Sequence, residues 1–206
     1  MARPRSFDEQ EVLDAAVRQF RRSGFAGTSL EDISTATGLG RGSLYASFGD
    51  KHALFIKALT EYARQALAQV SDLLAGPDDT AADRLQAFLA SGARFVLDDA
   101  DRLGCMAGKF AHEVGNQDDE ARTIIRAVFV DQQRLLRDCV AAAQRNGDLD
   151  PNTDPHTISV MILTLNRGFD VMAKGGLGRA DLDAAAAQAF AGLPLTTSYR
   201  TRRQRR

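Results

Sequence analysis

The stretch of sequence that decides the fold is TSLEDISTATGLGRGSLYASF, residues 28–48. Its start, Thr28-Ser-Leu-Glu31, has the spacing of a capping box, in which a hydroxyl and a carboxyl close the first turn of a helix. A two-turn helix with one apolar face follows and stops at Gly38, because glycine can take the left-handed conformation that ends a helix. A second short helix fits residues 41–48. The stretch therefore predicts a helix-turn-helix.

Apolar residues repeat at helical spacing on both sides of this stretch. A helix fits residues 8–23 before it, with acidic residues in its first turn and Arg near its end. Six further amphipathic runs follow it, at about 51–75, 80–100, 104–114, 118–145, 155–174 and 179–191. No alternating strand pattern of useful length is present. We predict an all-α protein of about nine helices.

These helices divide the chain into a small N-terminal domain and a larger helical body. Residues 1–50 are predicted to form the three-helix domain that contains the helix-turn-helix, and residues 51–195 the larger domain, with the helix from 51 joining the two. Residues 196–206 carry five Arg and no acidic residue. We expect this tail to be disordered and solvated, with a role at nucleic acid as the alternative.

Composition excludes several classes of protein. The chain has 206 residues, of which 44% are hydrophobic and 26% charged, the values of an ordinary globular protein. No apolar run approaches the ~20 residues that cross a bilayer, and the N-terminus lacks the apolar stretch of a secretory signal. The two cysteines, Cys105 and Cys139, show no spacing typical of a zinc site, and we expect them to be reduced thiols. We therefore expect a cytoplasmic protein without membrane association, metal or cofactor.

The second short helix begins Arg41-Gly-Ser43 and presents a forked cation, a glycine and a hydroxyl in its first turn. Such a helix is short enough to enter a major groove, where these groups can approach base edges or phosphates. A helical hairpin with a solvated Arg explains the same residues, since helix-turn-helix geometry also occurs in proteins that never bind DNA. Spacing alone leaves both interpretations open.

The motifs around this helix also resemble those of a known family. The run Thr28 to Ile33, then Thr37 to Tyr45, then Phe48-Gly-Asp-Lys51 and Ala53-Leu-Phe55 closely resembles the N-terminal domain of TetR/AcrR-type bacterial transcriptional regulators. The resemblance covers about residues 8–56. It implies a homodimer in which each N-terminal domain reads one half-site of a double-stranded DNA operator, while the C-terminal domain binds a small-molecule inducer and dimerises.

The same resemblance implies which residues contact DNA. Carried onto this sequence, the base-reading positions are Arg41, Gly42, Ser43 and Ser47. The phosphate contacts are Thr28, Tyr45 and Lys51. Arg can donate two bonds to guanine, whereas a Tyr hydroxyl or a Lys ammonium suits a phosphate as a single donor. Arg3 and Arg5 precede the first helix and either reach into a minor groove or form a solvated arm.

Beyond residue 56 the resemblance is weaker, and the inducer is not identified by it. The candidate ligand-binding positions lie on the helices that usually enclose the family's pocket. We expect most of them to be plain core and a minority to line a cavity. Asn166, Arg167 and Asp170 are polar in an otherwise apolar helix, and they either orient a ligand or face the dimer partner. The tentative ligand-binding set is Phe88, Phe95, Met106, Phe110, Phe129, Met161, Leu165, Asn166, Phe169 and Asp170.

Gly104-Cys-Met-Ala-Gly-Lys-Phe-Ala-His-Glu113 is the most distinctive stretch of the larger domain. A cysteine at a helix start lies where the positive end of the macrodipole favours a thiolate. The stretch also resembles the corresponding helix of the NemR-type branch, whose repressors sense electrophiles through a cysteine here. That resemblance implies Cys105 as a redox sensor with Lys174 as its partner, while a small buried thiol is the alternative.

Other functions fit the sequence less well. The spacing disfavours an enzyme with Cys105 as nucleophile and His112 as base, because seven residues of straight helix separate them by ~10.5 Å, too far for a hydrogen bond. The three histidines show no metal-ligand pattern. We therefore expect a ligand-responsive transcriptional regulator, most simply a repressor, and not an enzyme. A DNA-binding regulator controlled by a protein partner, or without a ligand, remains the alternative.

Overall fold

The structure, a computed structural model, describes residues 7–205 of the chain. Ten α-helices form within them, and the predicted all-α class is confirmed. The described part contains no β-strand, although an isolated bridge pairs Leu149 with Leu195. No described helix is long and apolar enough to span a membrane. The helices are α1 (Glu9–Ser23), α2 (Leu30–Thr37), α3 (Arg41–Phe48), α4 (Lys51–Leu74), α5 (Ala81–Leu97), α6 (Met106–Glu113), α7 (Asp119–Arg145), α8 (Pro155–Lys174), α9 (Arg179–Ala191) and α10 (Thr197–Gln204).

The helices belong to two compact units. Within the described residues, the first unit comprises residues 7–65 and 105–126, and the second comprises residues 66–104 and 127–205. The first unit therefore contains α6 and the beginning of α7, which were predicted to belong to the larger domain.

The first unit is built around the apolar face of α1. Asp8 accepts a hydrogen bond from the Gln10 amide and caps the helix, and basic residues complete its last turn, as the macrodipole favours. Val12, Ala16 and Phe20 are buried along one face. The Phe20 ring packs edge-on against Phe55 of α4, with ring centroids 5.2 Å apart. This packing fixes α1 against the helix that follows the helix-turn-helix.

The helix-turn-helix forms as α2, a glycine turn and α3. Its capping box uses Ser29 and Asp32, one residue later than the predicted Thr28 and Glu31. The reason is that the hydroxyl of Thr28 is buried and donates to the Gly24 carbonyl at 2.6 Å. Gly38 ends α2 with φ 68°, a left-handed conformation. The turn thereby directs the chain into α3.

The second unit has a continuous apolar core to which α5, α7, α8 and α9 contribute. Asn166 of α8 is fully buried in it, and its side-chain amide donates to the Phe88 carbonyl of α5 at 2.6 Å. Gly92 permits this close approach, since a Cβ there would lie 2.3 Å from the Asn166 carbonyl oxygen. A buried amide that is satisfied in this way fixes the register of the two helices.

The prediction of a disordered tail over residues 196–206 is wrong for the described part, because Thr197–Gln204 forms α10. Thr196 caps this helix by accepting from the Tyr199 amide at 3.2 Å. Tyr199 is buried in the core of the second unit, and its ring packs on Phe190 with centroids 6.1 Å apart.

Two arginines of α10 also have acidic partners in the second unit. Arg203 donates to Asp83 at 3.1 Å, and Arg202 donates to the buried Asp148. A helix cap, one aromatic anchor and two acidic partners thus order a segment whose composition alone indicates disorder.

We predict that Gly38→Ala lowers the free energy of unfolding by about 1 kcal/mol, because an L side chain at φ 68° is strained. Apart from the adjacent residues, nothing lies within 4 Å of the added methyl group, so the loss of stability reflects the backbone conformation. Gly40→Ala is the matched control, since Gly40 has φ −62° and equally open surroundings. Urea denaturation of the two variants compares them. Equal stability would contradict the left-handed turn.

We predict that Tyr199→Ala lowers the free energy of unfolding by about 2–4 kcal/mol, as expected when a buried aromatic ring is removed. Thr201→Ala, an exposed change on the same helix, should leave the stability near that of the wild type. Chemical denaturation followed by circular dichroism measures both. A Tyr199→Ala protein as stable as the wild type would mean that α10 is not docked in solution.

Candidate nucleic-acid interface

α3 presents most of the predicted DNA-contacting residues on one exposed surface. Leu44 and Phe48 are buried and anchor the helix, so the residues between them and around them point away from the core. Tyr45 is 55% exposed. Arg41, Gly42 and Ser43 are exposed in the first turn, and Ser47 is half-buried. These five predicted residues are therefore brought together, and the two apolar anchors hold them as one surface.

Arg41 is already engaged in this structure. Its guanidinium forms an ion pair with Glu31 of α2, across the glycine turn. Both side chains are largely exposed, so the pair contributes little to stability. It orients the guanidinium, which keeps further N–H donors for a second acceptor. Glu31 was not predicted in this role. The signal was an acidic residue ten positions before Arg41, on the preceding short helix.

The predicted phosphate contacts differ in their surroundings. Lys51, at the start of α4, donates to the Phe25 carbonyl at 3.0 Å, and its ammonium lies 4.4 Å from the centroid of the Phe25 ring. Thr28 is buried, and both its amide and its hydroxyl donate to backbone carbonyls. This favours a structural role for Thr28, and its phosphate contact stays a prediction. Arg3 and Arg5 lie outside the described residues.

The tentative ligand-binding residues are divided between the two units. Met106 and Phe110 are buried in the first unit, where the Phe110 ring packs on Phe55 with centroids 4.8 Å apart. In the second unit, Phe95 and Met161 are 41% and 39% exposed. Phe129 and Leu165 are partly buried against the core, and the buried members are Phe88, Asn166, Phe169 and Asp170. The ligand-binding role of the set stays a prediction.

Two clefts of the second unit lie along α10 and not beside the predicted ligand-binding residues. One has a volume of about 490 Å³ and is lined by acidic and basic side chains, among them Asp83, Asp148 and Arg203. The other, of about 360 Å³, includes Phe190 and Leu195. Neither is lined by a residue of the tentative ligand-binding set.

The two cysteines have different surroundings. Cys105 caps α6, and its buried sulfur accepts hydrogen bonds from the Gly108 amide and the Tyr62 hydroxyl, each at 3.4 Å. Burial raises the pKa of the Cys139 thiol. Lys174, the predicted partner of Cys105, belongs to the second unit and donates to the Leu103 carbonyl at 3.0 Å. The pairing of Cys105 with Lys174 stays a prediction.

Cys105 and His112, the two residues considered for an enzyme, have different surroundings. His112 is exposed on α6, whereas Cys105 is buried. No three His, Cys, Asp or Glu side chains of residues 7–205 are grouped so that they could hold a metal ion.

α8 and α9 leave an apolar surface exposed on the second unit. Val160, Met161, Val171 and Met172 of α8 are 39–62% exposed. Residues 184–187 of α9 are alanines, of which all but Ala186 are exposed. Exposed apolar side chains grouped in this way are typical of a protein–protein interface, and the small residues permit close helix packing.

Comparisons with known proteins agree with this geometry. The family model described as bacterial regulatory proteins, tetR family, matches residues 12–58, which include the helix-turn-helix. The model described as tetracyclin repressor-like, C-terminal domain, matches residues 81–190. The HTH-type transcriptional repressor ComR of Escherichia coli (strain K12) is 24% identical over 174 residues, which cover 84% of this chain and 83% of ComR.

Solved structures extend the likeness over nearly the whole chain. A cysteine mutant of the TetR family transcriptional regulator CifR, complexed with 26-base-pair double-strand operator DNA, is 31% identical, with a TM-score of 0.77. The match covers 94% of this chain and 100% of that one. The reduced form of E. coli NemR is 19% identical, with a TM-score of 0.78 over 91% of this chain and 97% of that one, and shares the fold.

The match to the C-terminal family model alone spans more than half of the 206 residues. The N-terminal model matches the segment that contains α2 and α3. The chain therefore belongs to the TetR family of bacterial regulatory proteins, which are DNA-binding transcriptional regulators and not enzymes.

Proposed function

We propose that the protein is a repressor that binds a palindromic operator as a homodimer and is released from it by a small-molecule or electrophile inducer. The observation that carries the proposal is the surface of α3, where Arg41, Gly42, Ser43 and Tyr45 are exposed above the buried anchors Leu44 and Phe48. A forked cation, a glycine and a hydroxyl in the first turn of a short helix suit base edges and phosphates of a major groove. The relative ComR is named a repressor.

Dimerisation is proposed through α8 and α9. The exposed Val160, Met161, Val171 and Met172 would be covered by the same helices of a second copy, and the exposed alanines of α9 allow the helices to approach closely. A two-fold arrangement of this kind would present two copies of α3 to two half-sites of an inverted repeat. The predicted cytoplasmic location belongs to this proposal.

Release by an inducer requires that the inducer binds the DNA-incompetent dimer better than the competent one. α4 contributes residues to both units, so we expect its position to respond to both DNA and inducer. A coupling free energy of about 1–3 kcal/mol would give strong regulation. Control by a protein partner, without an inducer, is the alternative, and it predicts equal operator affinity with and without any small molecule.

An electrophile is a second candidate signal because of the surroundings of Cys105. The Gly108 amide and the Tyr62 hydroxyl both donate to its sulfur, and donors in this arrangement stabilise negative charge that develops there. Cys105 is buried, so modification requires local opening of the structure. Modification would then break the cap of α6.

We predict that Arg41→Ala weakens operator binding by about 1–3 kcal/mol and relaxes the preference at one base pair, because the bidentate contact is lost. Lys51→Ala should weaken binding to all duplexes alike and reduce the salt slope by about 1, as expected for a phosphate contact. Fluorescence anisotropy with operator variants at several salt concentrations measures both. Arg64→Ala is the matched control, since Arg64 is also an exposed Arg paired with a Glu. Unchanged base preference in Arg41→Ala would refute the assignment.

We predict that Cys105→Ser binds operator normally but is not released by N-ethylmaleimide or hypochlorite, whereas Cys139→Ser is released like the wild type. Burial raises the pKa of the Cys139 thiol, which slows its reaction. Gel-shift titration compares both variants, and Lys174→Ala tests the predicted partner. Release of Cys105→Ser at the reagent concentration that releases the wild type would make Cys105 a core residue and leave a non-covalent inducer as the signal.

A further inference from the structure

α6 lies outside the segment matched by the N-terminal family model, yet it belongs to the same compact unit as the helix-turn-helix. Its buried residues Met106, Ala107 and Phe110 pack into that unit. Two of its other side chains, Lys109 and Glu113, extend to the end of α1 and to residues 24–29 between α1 and α2, which are called the α1–α2 turn below.

Lys109 binds the end of α1. Its ammonium donates to the Arg21 carbonyl at 2.7 Å and to the Arg22 carbonyl at 3.3 Å. The last carbonyls of a helix have no partner within the helix and carry the negative end of its macrodipole. The Lys109 ammonium, which comes from another helix, donates to these carbonyls and places a positive charge at the negative end of the macrodipole. Lys109 therefore attaches α6 to the end of α1.

Glu113 binds the turn that follows. Its carboxylate accepts a hydrogen bond from the Ala26 amide at 3.0 Å. The carboxylate also lies directly against Gly24, where an added Cβ would be 2.7 Å from one of its oxygens. Gly24 has φ 80°, so both its backbone conformation and its missing side chain are needed for this approach. Lys109 and Glu113 are one turn apart on α6 and bind two consecutive parts of the chain.

The α1–α2 turn is held from α4 as well. Lys51 donates to the Phe25 carbonyl, and the Phe25 ring packs on Phe55 with centroids 4.9 Å apart. The turn ends at Thr28, whose hydroxyl donates to Gly24, and at Ser29, the cap of α2. The orientation of α2, and of α3 behind it, therefore depends on a turn that α6 and α4 hold together.

We infer that Lys109 and Glu113 are positioning residues for operator binding. They contact the end of α1 and the α1–α2 turn and act on DNA through them, by keeping the turn ordered so that α3 is oriented before it meets the operator. Without them the turn must be ordered during binding, which costs affinity for every sequence. This inference rests on the proposed operator binding, and it assigns a role in that function to a helix outside the helix-turn-helix domain.

The test measures binding to the duplex that the wild-type protein selects from a random-sequence library. Lys109→Ala and Glu113→Ala should each bind this duplex about tenfold more weakly at a temperature where circular dichroism shows them folded. Lys109→Arg and Glu113→Gln keep a donor and an acceptor at the same places and should recover most of the affinity. His112→Ala, an exposed change on the same helix, should bind like the wild type.

A second readout follows the turn itself. The Ala26 amide should exchange its hydrogen faster in Glu113→Ala than in the wild type or in Glu113→Gln, because only the alanine variant lacks the acceptor. If Lys109→Ala does not fold, Lys109→Met replaces it, since methionine keeps the apolar stem without the ammonium. Faster exchange at Ala26 shows that the hydrogen bond holds the turn, and the operator affinity shows whether binding depends on it. A role in stability alone would lower the melting temperature and leave the operator affinity of the folded variants unchanged.

Operator affinities of Lys109→Ala and Glu113→Ala within about twofold of the wild type would overturn the inference. So would tighter binding, which would mean that α6 restrains α3 in an orientation unsuited to DNA, and so would an equal loss in His112→Ala. Failure of the wild type to select any duplex would instead reject the proposed function, and the two failures are thereby distinguished.

Discussion

The contact of Phe55 with three other phenylalanine rings is the interaction on which the first unit depends. Phe20 of α1, Phe25 of the α1–α2 turn and Phe110 of α6 surround it at centroid distances of 5.2, 4.9 and 4.8 Å. Phe20, Phe55 and Phe110 are fully buried. Aromatic rings bury more apolar area than other side chains and pack in specific orientations, so this cluster both stabilises the four elements and sets the angles between them.

The exposed surface of α3 depends on packing within the first unit, because α2 and α3 are too short to be stable alone. α2 and α3 have eight residues each, well below the length at which isolated helices persist in water. Their stability comes from burial of Ile33, Leu44 and Phe48, from the capping box and from the left-handed turn at Gly38. A surface supported in this way can expose a guanidinium, a glycine and hydroxyls without losing its shape, which is what recognition of a base sequence requires.

Local chemistry predicted much of the fold, and long-range contacts account for most of the differences. Helical periodicity and Gly38 indicated the helix-turn-helix and the nine helices that precede the tail. The composition of residues 196–206 wrongly predicted disorder. α10 is ordered because Tyr199 is buried in a core formed by residues distant in sequence. The exposed surface around Arg41 was predictable, since it lies within one continuous motif. The contacts of Lys109 and Glu113 were not, because each joins residues more than 80 positions apart.

The central claim, that two copies of α3 read one operator, is tested most directly by footprinting the selected duplex and determining the mass of the complex by analytical ultracentrifugation. The account predicts an inverted repeat in which two protected half-sites are related by two-fold symmetry, with protomers bound in an even number per duplex. Half-site centres should be about one helical turn of DNA, or a multiple of it, apart. Protection of a single site by one protomer, or uniform protection of duplexes without an inverted repeat, would contradict it.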